Sequence, residues 1–159
     1  MDLSDLIAQE AIIPALKANS KKQVLQIMAE KASVISGLPK HKIFKTVLQR
    51  EKLGTTSVGN GIAIPHGKLL GLDKIIGVFA RLEHPIDFEA LDDQPVDLVF
   101  LLLAPESAGA DHLKALSRVA RLLRNPEIIS KLRNVPEIQA LHSFLTQNPS
   151  LKHSISAVL

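Results

Sequence analysis

Apolar positions in this chain alternate between short unbroken runs and stripes at helical spacing. Ala11-Ile12-Ile13-Pro14-Ala15-Leu16 is a brief apolar run that carries a proline, the pattern of an edge strand. After Ser20 the spacing changes. Val24, Ile27, Met28 and Ile35, with the Lys31 stem among them, share one face and predict an amphipathic helix. Ser20 followed by Gln23 has the capping-box form at its start, and Gly37 marks its end. A second helix is expected to start at Leu38-Pro39, turn Ile43, Phe44, Val47 and Leu48 inward, and end near Arg50-Glu51.

Beyond residue 70 the runs lengthen. Lys74 to Arg81 reads as a strand, and His84 to Phe88 as a turn or short extended piece. Val96 to Leu103 is apolar except for Asp97, which suits a central strand covered on both faces, and Pro105 ends it. A helix is predicted from about Asp111 to Arg124, with Leu113, Leu116, Val119, Ala120 and Leu123 inward. Pro126 and Pro136 each have the form of a first-turn proline opening a short helix. Strands alternating with helices predict the α/β class: a three-layer α/β/α domain with a mixed central sheet flanked by helices. The 159 residues fit a single domain, with a core over about 4–145 and a polar, loosely held tail over 146–159.

Composition narrows the chemistry. No cysteine is present, which excludes disulfides, thiol catalysis and Cys-ligated zinc. Aromatic residues make up 3%, with no Trp or Tyr, so single-stranded nucleic acid would find no stacking platform. The net charge of +3 accompanies no helix-turn-helix or RNA-binding signature, so nucleic acid is not expected as a partner. The basic clusters at 40–45 and 118–133 read as solvated helix faces or as docking ground for an acidic partner. No apolar run reaches the ~20 residues of a membrane span, and the acidic start lacks the form of a signal peptide. A cytoplasmic location without membrane insertion is the expectation.

Five of the eight glycines lie between Gly54 and Gly71, and His66 sits among them, after the apolar run Ile62-Ala63-Ile64-Pro65 that reads as a short buried strand. Pro65 pushes Ile64 into an extended conformation and fixes the entry to His66, while Gly67 relieves crowding after it. An imidazole held at a strand end in this way can take up a phosphoryl group, bind a metal or act as a base, and a hydrogen-bonded structural histidine has the same local pattern. Arg50, at the expected helix end, reads locally as a solvated arginine whose fork also suits phosphate oxygens. His112 reads locally as a surface histidine at a helix start. Gly59-Asn60-Gly61 begins like a dinucleotide fingerprint, but position 64 is Ile and no long helix follows; no Walker loop is present either, so no nucleotide cofactor is expected. His66 and His112 without a third ligand make a poor zinc site, and no metal is expected. His41, His84, His142 and His153 lie in no motif.

Asn60-Gly61-Ile62-Ala63-Ile64-Pro65-His66-Gly67-Lys68 resembles the phosphorylation-site signature of the type-2 (mannitol/fructose-type) IIA components of the bacterial phosphoenolpyruvate-dependent phosphotransferase system. The similarity runs from about Ser4 to Leu145 and includes, in order, Arg50-Glu51-Lys52, Asp92-Asp93-Gln94-Pro95-Val96-Asp97-Leu98 and His112-Leu113. It is strongest to the nitrogen-regulatory branch. The resemblance implies a phosphotransferase that accepts a phosphoryl group on Nε2 of His66 from an HPr-like phosphocarrier, with Arg50 and His112 at the active site. Three charged equatorial oxygens then need donors. The amides of Gly59, Asn60 and Gly61 are candidates, and Thr56 and Lys68 are candidates to bind phosphate or shape the loop. The family contains regulatory members and sugar-specific members that pass the group to a IIB component. No second domain accompanies the motif here, which tilts the expectation toward regulation. A non-phosphorylated relative of the anion-transporter type is disfavoured by the joint presence of His66, Arg50 and His112.

Overall fold

Strand β6, Val96–Pro105, is the spine of the molecule, and every residue from Leu98 to Ala104 is buried. The computed structural model of the chain describes residues 3–146; residues 147–159 of the expected tail lie outside them. β6 pairs antiparallel with β5 (Ile76–Ile86) on one side and parallel with both β3 (Ile62–Ala63) and β4 (His66–Leu69) on the other. β1 (Ile12–Leu16) joins β5 in parallel at one edge, and β2 (Ser57–Gly59) joins β3 antiparallel at the other. The sheet is mixed, and its order is β1-β5-β6-β3-β2 with β4 also on β6. Helices flank it as expected of an α/β fold. Helices α1 (Lys21–Ser36) and α2 (Lys40–Leu53) pack on each other and against β5 and β4; α3 (Ala110–Leu122) meets β6; α4 (Pro126–Asn134) and α5 (Ile138–Leu145) pair, with α5 against β1.

Local chemistry sets most boundaries. Ser20 caps α1 by accepting the Gln23 N–H at 3.2 Å, and Gly37 closes it in the left-handed conformation at φ 80°. The expected reciprocal capping-box bond is shifted by one residue: Gln23 Oε1 accepts from the Asn19 N–H at 2.7 Å, not from Ser20. Asn125 caps α4 by accepting from the Glu127 and Ile128 amides, with Pro126 at N1. β1 occupies a sheet edge, and its register slips between Ile13 and Leu16, around Pro14, which has no N–H to donate. Arg81 on β5 fastens that edge. It donates through Nε to the Pro14 carbonyl at 3.0 Å, and through Nη1 to the Leu132 and Val135 carbonyls at the end of α4 at 3.0 and 2.5 Å.

Four expectations are corrected. α2 runs on to Leu53, so Arg50 lies in its last turn and not at its exit. β5 continues through the expected turn at His84 to Ile86, a register irregularity after Arg81 absorbing the change. Pro136 stands outside α5, whose N-cap is Glu137. Leu113 is 67% exposed because the buried stripe of α3 is His112, Ala115, Val119 and Leu122, which leaves its neighbour about 100° off the core face.

Candidate functional site

His66 owes its placement to one missing N–H. β3 and β4 pair with β6 in the same register, Ile62 with Leu98, Ala63 with Val99, His66 with Leu102. They form one line along β6, interrupted at Ile64-Pro65 because proline cannot donate to the ladder. The Pro65 carbonyl still accepts from the Leu102 N–H at 2.9 Å, so the gap stays aligned. His66 therefore opens β4, whereas the local pattern alone places it at the end of a strand. Across the gap its Nδ1 lies 2.9 Å from the Ile64 carbonyl oxygen. A carbonyl only accepts, so Nδ1 carries the hydrogen and Nε2 is left with a free lone pair.

Two further elements bring a cation and a second imidazole to this ring. α2 packs hard on β4: a Cβ built on Gly67 would stand 2.9 Å from Thr46 Cγ2. Arg50 follows Thr46 by one helical turn, and its Nη1 donates to the Gly54 carbonyl at 3.0 Å, closing the end of α2. From α3 comes His112, only 5% exposed, whose ring centroid is 5.6 Å from that of His66 at an interplanar angle of 57°. His112 Nδ1 is buried and has no hydrogen-bond partner within the protein. Lys68, two residues along β4 from His66, lies on the same face and is exposed.

Both imidazoles are biased toward the neutral form. Burial is the main cause at His66; the Ile64 carbonyl and the Glu51 carboxylate oppose it, and the Arg50 charge adds to it. At His112 burial is again first, followed by His66 and Lys68. The unfolded chain takes up protons near pH 6.5, before these two folded-state rings do. Their contribution is thus complete above about pH 6.5 and is lost as pH falls through their lowered folded-state values. Urea midpoints measured from pH 8 to pH 5 should be level at first and then decline. A midpoint that holds constant down to pH 5 would contradict this assignment.

Gly59, Asn60 and Gly61 are not brought to His66. They form the β2–β3 turn, at the opposite end of β3 and roughly 15 Å of extended chain away. The Asn60 N–H donates to Asp92 Oδ2 at 2.9 Å, and the Gly61 carbonyl accepts from the Asp97 and Leu98 amides. Arg133 forks onto Asp97 with both contacts at 2.9 Å and donates to the Asn60 carbonyl at 2.6 Å. A Cβ on Gly61 would stand 2.6 Å from the Arg133 Nη2. The Asn60 and Gln94 amides hold the Asp92 carboxyl below the usual range, so an anion at this turn would meet two carboxylates. The phosphate-binding expectation for these three residues is corrected on that ground: the motif Asp92–Leu98 secures a hairpin. Thr56 is buried, and both its N–H and its hydroxyl donate to Glu51, at 2.9 and 2.5 Å, so it shapes the loop and has no donor left for phosphate.

Glu51 joins the site although no local motif singles it out as functional. Ile43, Val47 and Glu51 follow at intervals of four, a spacing that places the carboxylate on the buried face of α2, and it is 4% exposed. That spacing, and its place beside Arg50 in the Arg50-Glu51-Lys52 motif, are the signals in the sequence that could have found it. Among the described residues no cluster of three or more His, Asp or Glu side chains could hold a metal ion.

Fold and site together define an α/β domain in which one half-buried imidazole has its Nδ1 tied to the main chain. The chain belongs to the family described as "Phosphoenolpyruvate-dependent sugar phosphotransferase system, EIIA 2", which matches residues 5–148. A nitrogen regulatory protein of Bradyrhizobium diazoefficiens is 62% identical over 94% of this chain and 98% of its own length. Its counterpart in Escherichia coli is 42% identical over 92% and 90%. The crystal structure of nitrogen regulatory protein IIA-Ntr from Neisseria meningitidis superposes with a TM-score of 0.85 at 33% identity, over 89% of this chain and 97% of that one. The mannitol IIA enzyme of Escherichia coli, solved in complex with phosphorylated IIB, shares the fold at a TM-score of 0.76 and 21% identity, over 90% and 100%. No helix among the described residues is long and apolar enough to cross a membrane.

Proposed function

We propose that His66 accepts a phosphoryl group on Nε2 from an HPr-like phosphocarrier in the cytoplasm, and that this chain acts chiefly as a regulatory IIA protein. The observation that supports this most is the 2.9 Å contact of His66 Nδ1 with the Ile64 carbonyl, which leaves Nε2 as the nucleophile. In the transfer the N–P bond to the carrier's histidine breaks as the Nε2–P bond forms. The carrier's imidazole leaves with the electron pair, and His66 keeps its proton on Nδ1. Little covalent machinery is required; what matters is in-line approach and compensation of charge on three equatorial oxygens. Arg50 supplies a permanent positive charge near the ring. His112, neutral and at the start of α3, supplies a ring N–H beside the positive end of the helix dipole.

Incubation with phosphoenolpyruvate, enzyme I and phosphocarrier should place acid-labile phosphate on the wild-type protein. Arg50→Ala and His112→Ala should each slow that transfer by roughly 10²–10³-fold, the usual loss on removing one preorganised donor, while circular dichroism stays native. Normal rates in both variants would remove them from the site.

A second reading is a sugar-specific IIA that passes the phosphoryl group to a IIB component. The family's description and the fold shared with mannitol IIA support it. The relative matched along nearly its full length, a nitrogen regulatory protein, supports regulation more strongly. Purified IIB proteins added to the labelled protein discriminate: rapid loss of label to one of them would favour sugar uptake.

A further inference from the structure

Two charged residues of this fold sit at the wrong ends of their helices. Lys21 is the first residue of α1, where the helix dipole is positive, and no acidic side chain lies in that turn to compensate. Glu51 is in the last turn of α2, where the dipole is negative, and its side chain is 1% exposed. Each placement is locally unfavourable, and burying an ion pair brings little net stability. Their meeting is therefore poorly explained by helix formation or by burial.

What the pair does hold is the backbone beneath His66. Lys21 Nζ lies 3.1 Å from Glu51 Oε2. The same carboxylate accepts the Thr56 N–H at 2.9 Å and the Thr56 hydroxyl at 2.5 Å. The Thr56 carbonyl accepts the Ile64 N–H at 3.0 Å. Ile64 then presents the carbonyl that accepts from His66 Nδ1 at 2.9 Å. This anchoring holds Ile64 in place at the gap between β3 and β4, where Pro65 has no N–H to donate to β6.

We propose that Glu51, held by Lys21, is a positioning residue that acts through Thr56 and Ile64 to fix the orientation and tautomer of the His66 imidazole. The inference deepens the phosphoryl-acceptor reading and rests on it. Glu51 does not touch the reacting atoms. It immobilises Thr56, Thr56 immobilises Ile64, and the Ile64 carbonyl selects the hydrogen on Nδ1, so that Nε2 faces the carrier as nucleophile. A ring free to swing or to exchange tautomers would spend part of its time without a nucleophilic nitrogen in line.

The double variant Lys21→Met/Glu51→Met tests this. It removes both charges together, so no uncompensated charge stays buried. Nitrogen NMR on histidine-labelled, unphosphorylated protein should show a single tautomer of His66, protonated on Nδ1, in the wild type and a mixture in the variant. In the phosphocarrier assay the KM for the carrier should hold while the maximal rate falls roughly 10- to 100-fold, as for a small misplacement of a reacting group. Thr56→Ser, which keeps the hydroxyl, should behave as wild type in both measurements, and Thr56→Val should shift both. If the double variant does not fold, the two threonine variants carry the test. A folded variant with the wild-type tautomer, or with mixed tautomers and an unchanged rate, overturns the proposal. Failure of the wild type to take up phosphate would instead end the phosphoryl-acceptor reading, and the tautomer comparison would still report on the anchoring.

Discussion

His66→Ala is expected to abolish acid-labile phosphoryl incorporation while the protein stays folded. The loss should be complete because no other described residue is equipped to substitute. His112 is the nearest imidazole, but it is 5% exposed, which leaves its ring little surface for in-line approach by a carrier. The remaining described histidines, His41, His84 and His142, lie outside this cluster, and His142 already contacts the Ile7 carbonyl at 3.1 Å through Nε2. The structural cost should be small. His66 is half-buried at the opening of a strand whose pairing runs through backbone atoms, so the variant loses one side-chain contact with a carbonyl, about 1 kcal/mol. Acid-labile label and denaturant midpoints measured on the same samples separate the two effects. Equal labelling of wild type and variant would place the acceptor elsewhere.

Gly77→Ala is expected to destabilise the fold by about 3 kcal/mol. Gly77 lies in β5 opposite Leu102 of β6. A Cβ at this position would stand 2.6 and 2.7 Å from Cε1 and Cζ of Phe100, inside van der Waals contact with two ring atoms at once. The ring has no room to yield: Phe100 is fully buried, and Phe79 stands 6.5 Å away, centroid to centroid. Nor can the backbone withdraw, because the Gly77 N–H donates to the Leu6 carbonyl at 2.6 Å and thereby ties the N-terminal segment to the sheet. Overpacking of this kind must displace either the ring or that segment. Thermal unfolding should show a midpoint roughly 6–12 °C lower for a domain of this size. A midpoint within a degree of wild type would mean that the ring relaxes freely. Phosphoryl acceptance at low temperature should survive, since β4 pairs with the other side of β6.

Much of this architecture is legible in the order of the residues. Helix starts and stops are decided within one turn, and so Ser20, Gly37 and Pro126 mark their helices correctly. The apolar run at 98–104 suits a strand covered on both faces. The site is legible where a single dipeptide controls it: Pro65 next to His66 signals a presented imidazole. It is misleading where partners come from afar. The glycine turn at 59–61 has the local look of a phosphate cradle. In the fold it is filled by Asp92, Asp97 and Arg133, residues 32 to 73 positions away. The extension of β5 through His84 depends on pairing with β6, which local propensity cannot register.

The periodicities, the caps, the absence of thiol chemistry and the histidine most worth attention all follow from the amino-acid order, because they depend on side chains within a few residues of one another. Three things do not: which nitrogen of that histidine is free, which second imidazole faces it, and that a buried carboxylate thirty residues from its lysine underlies it. Those are properties of contacts between elements distant along the chain. They exist only once β4 has docked on β6 and helices α2 and α3 have closed over the result.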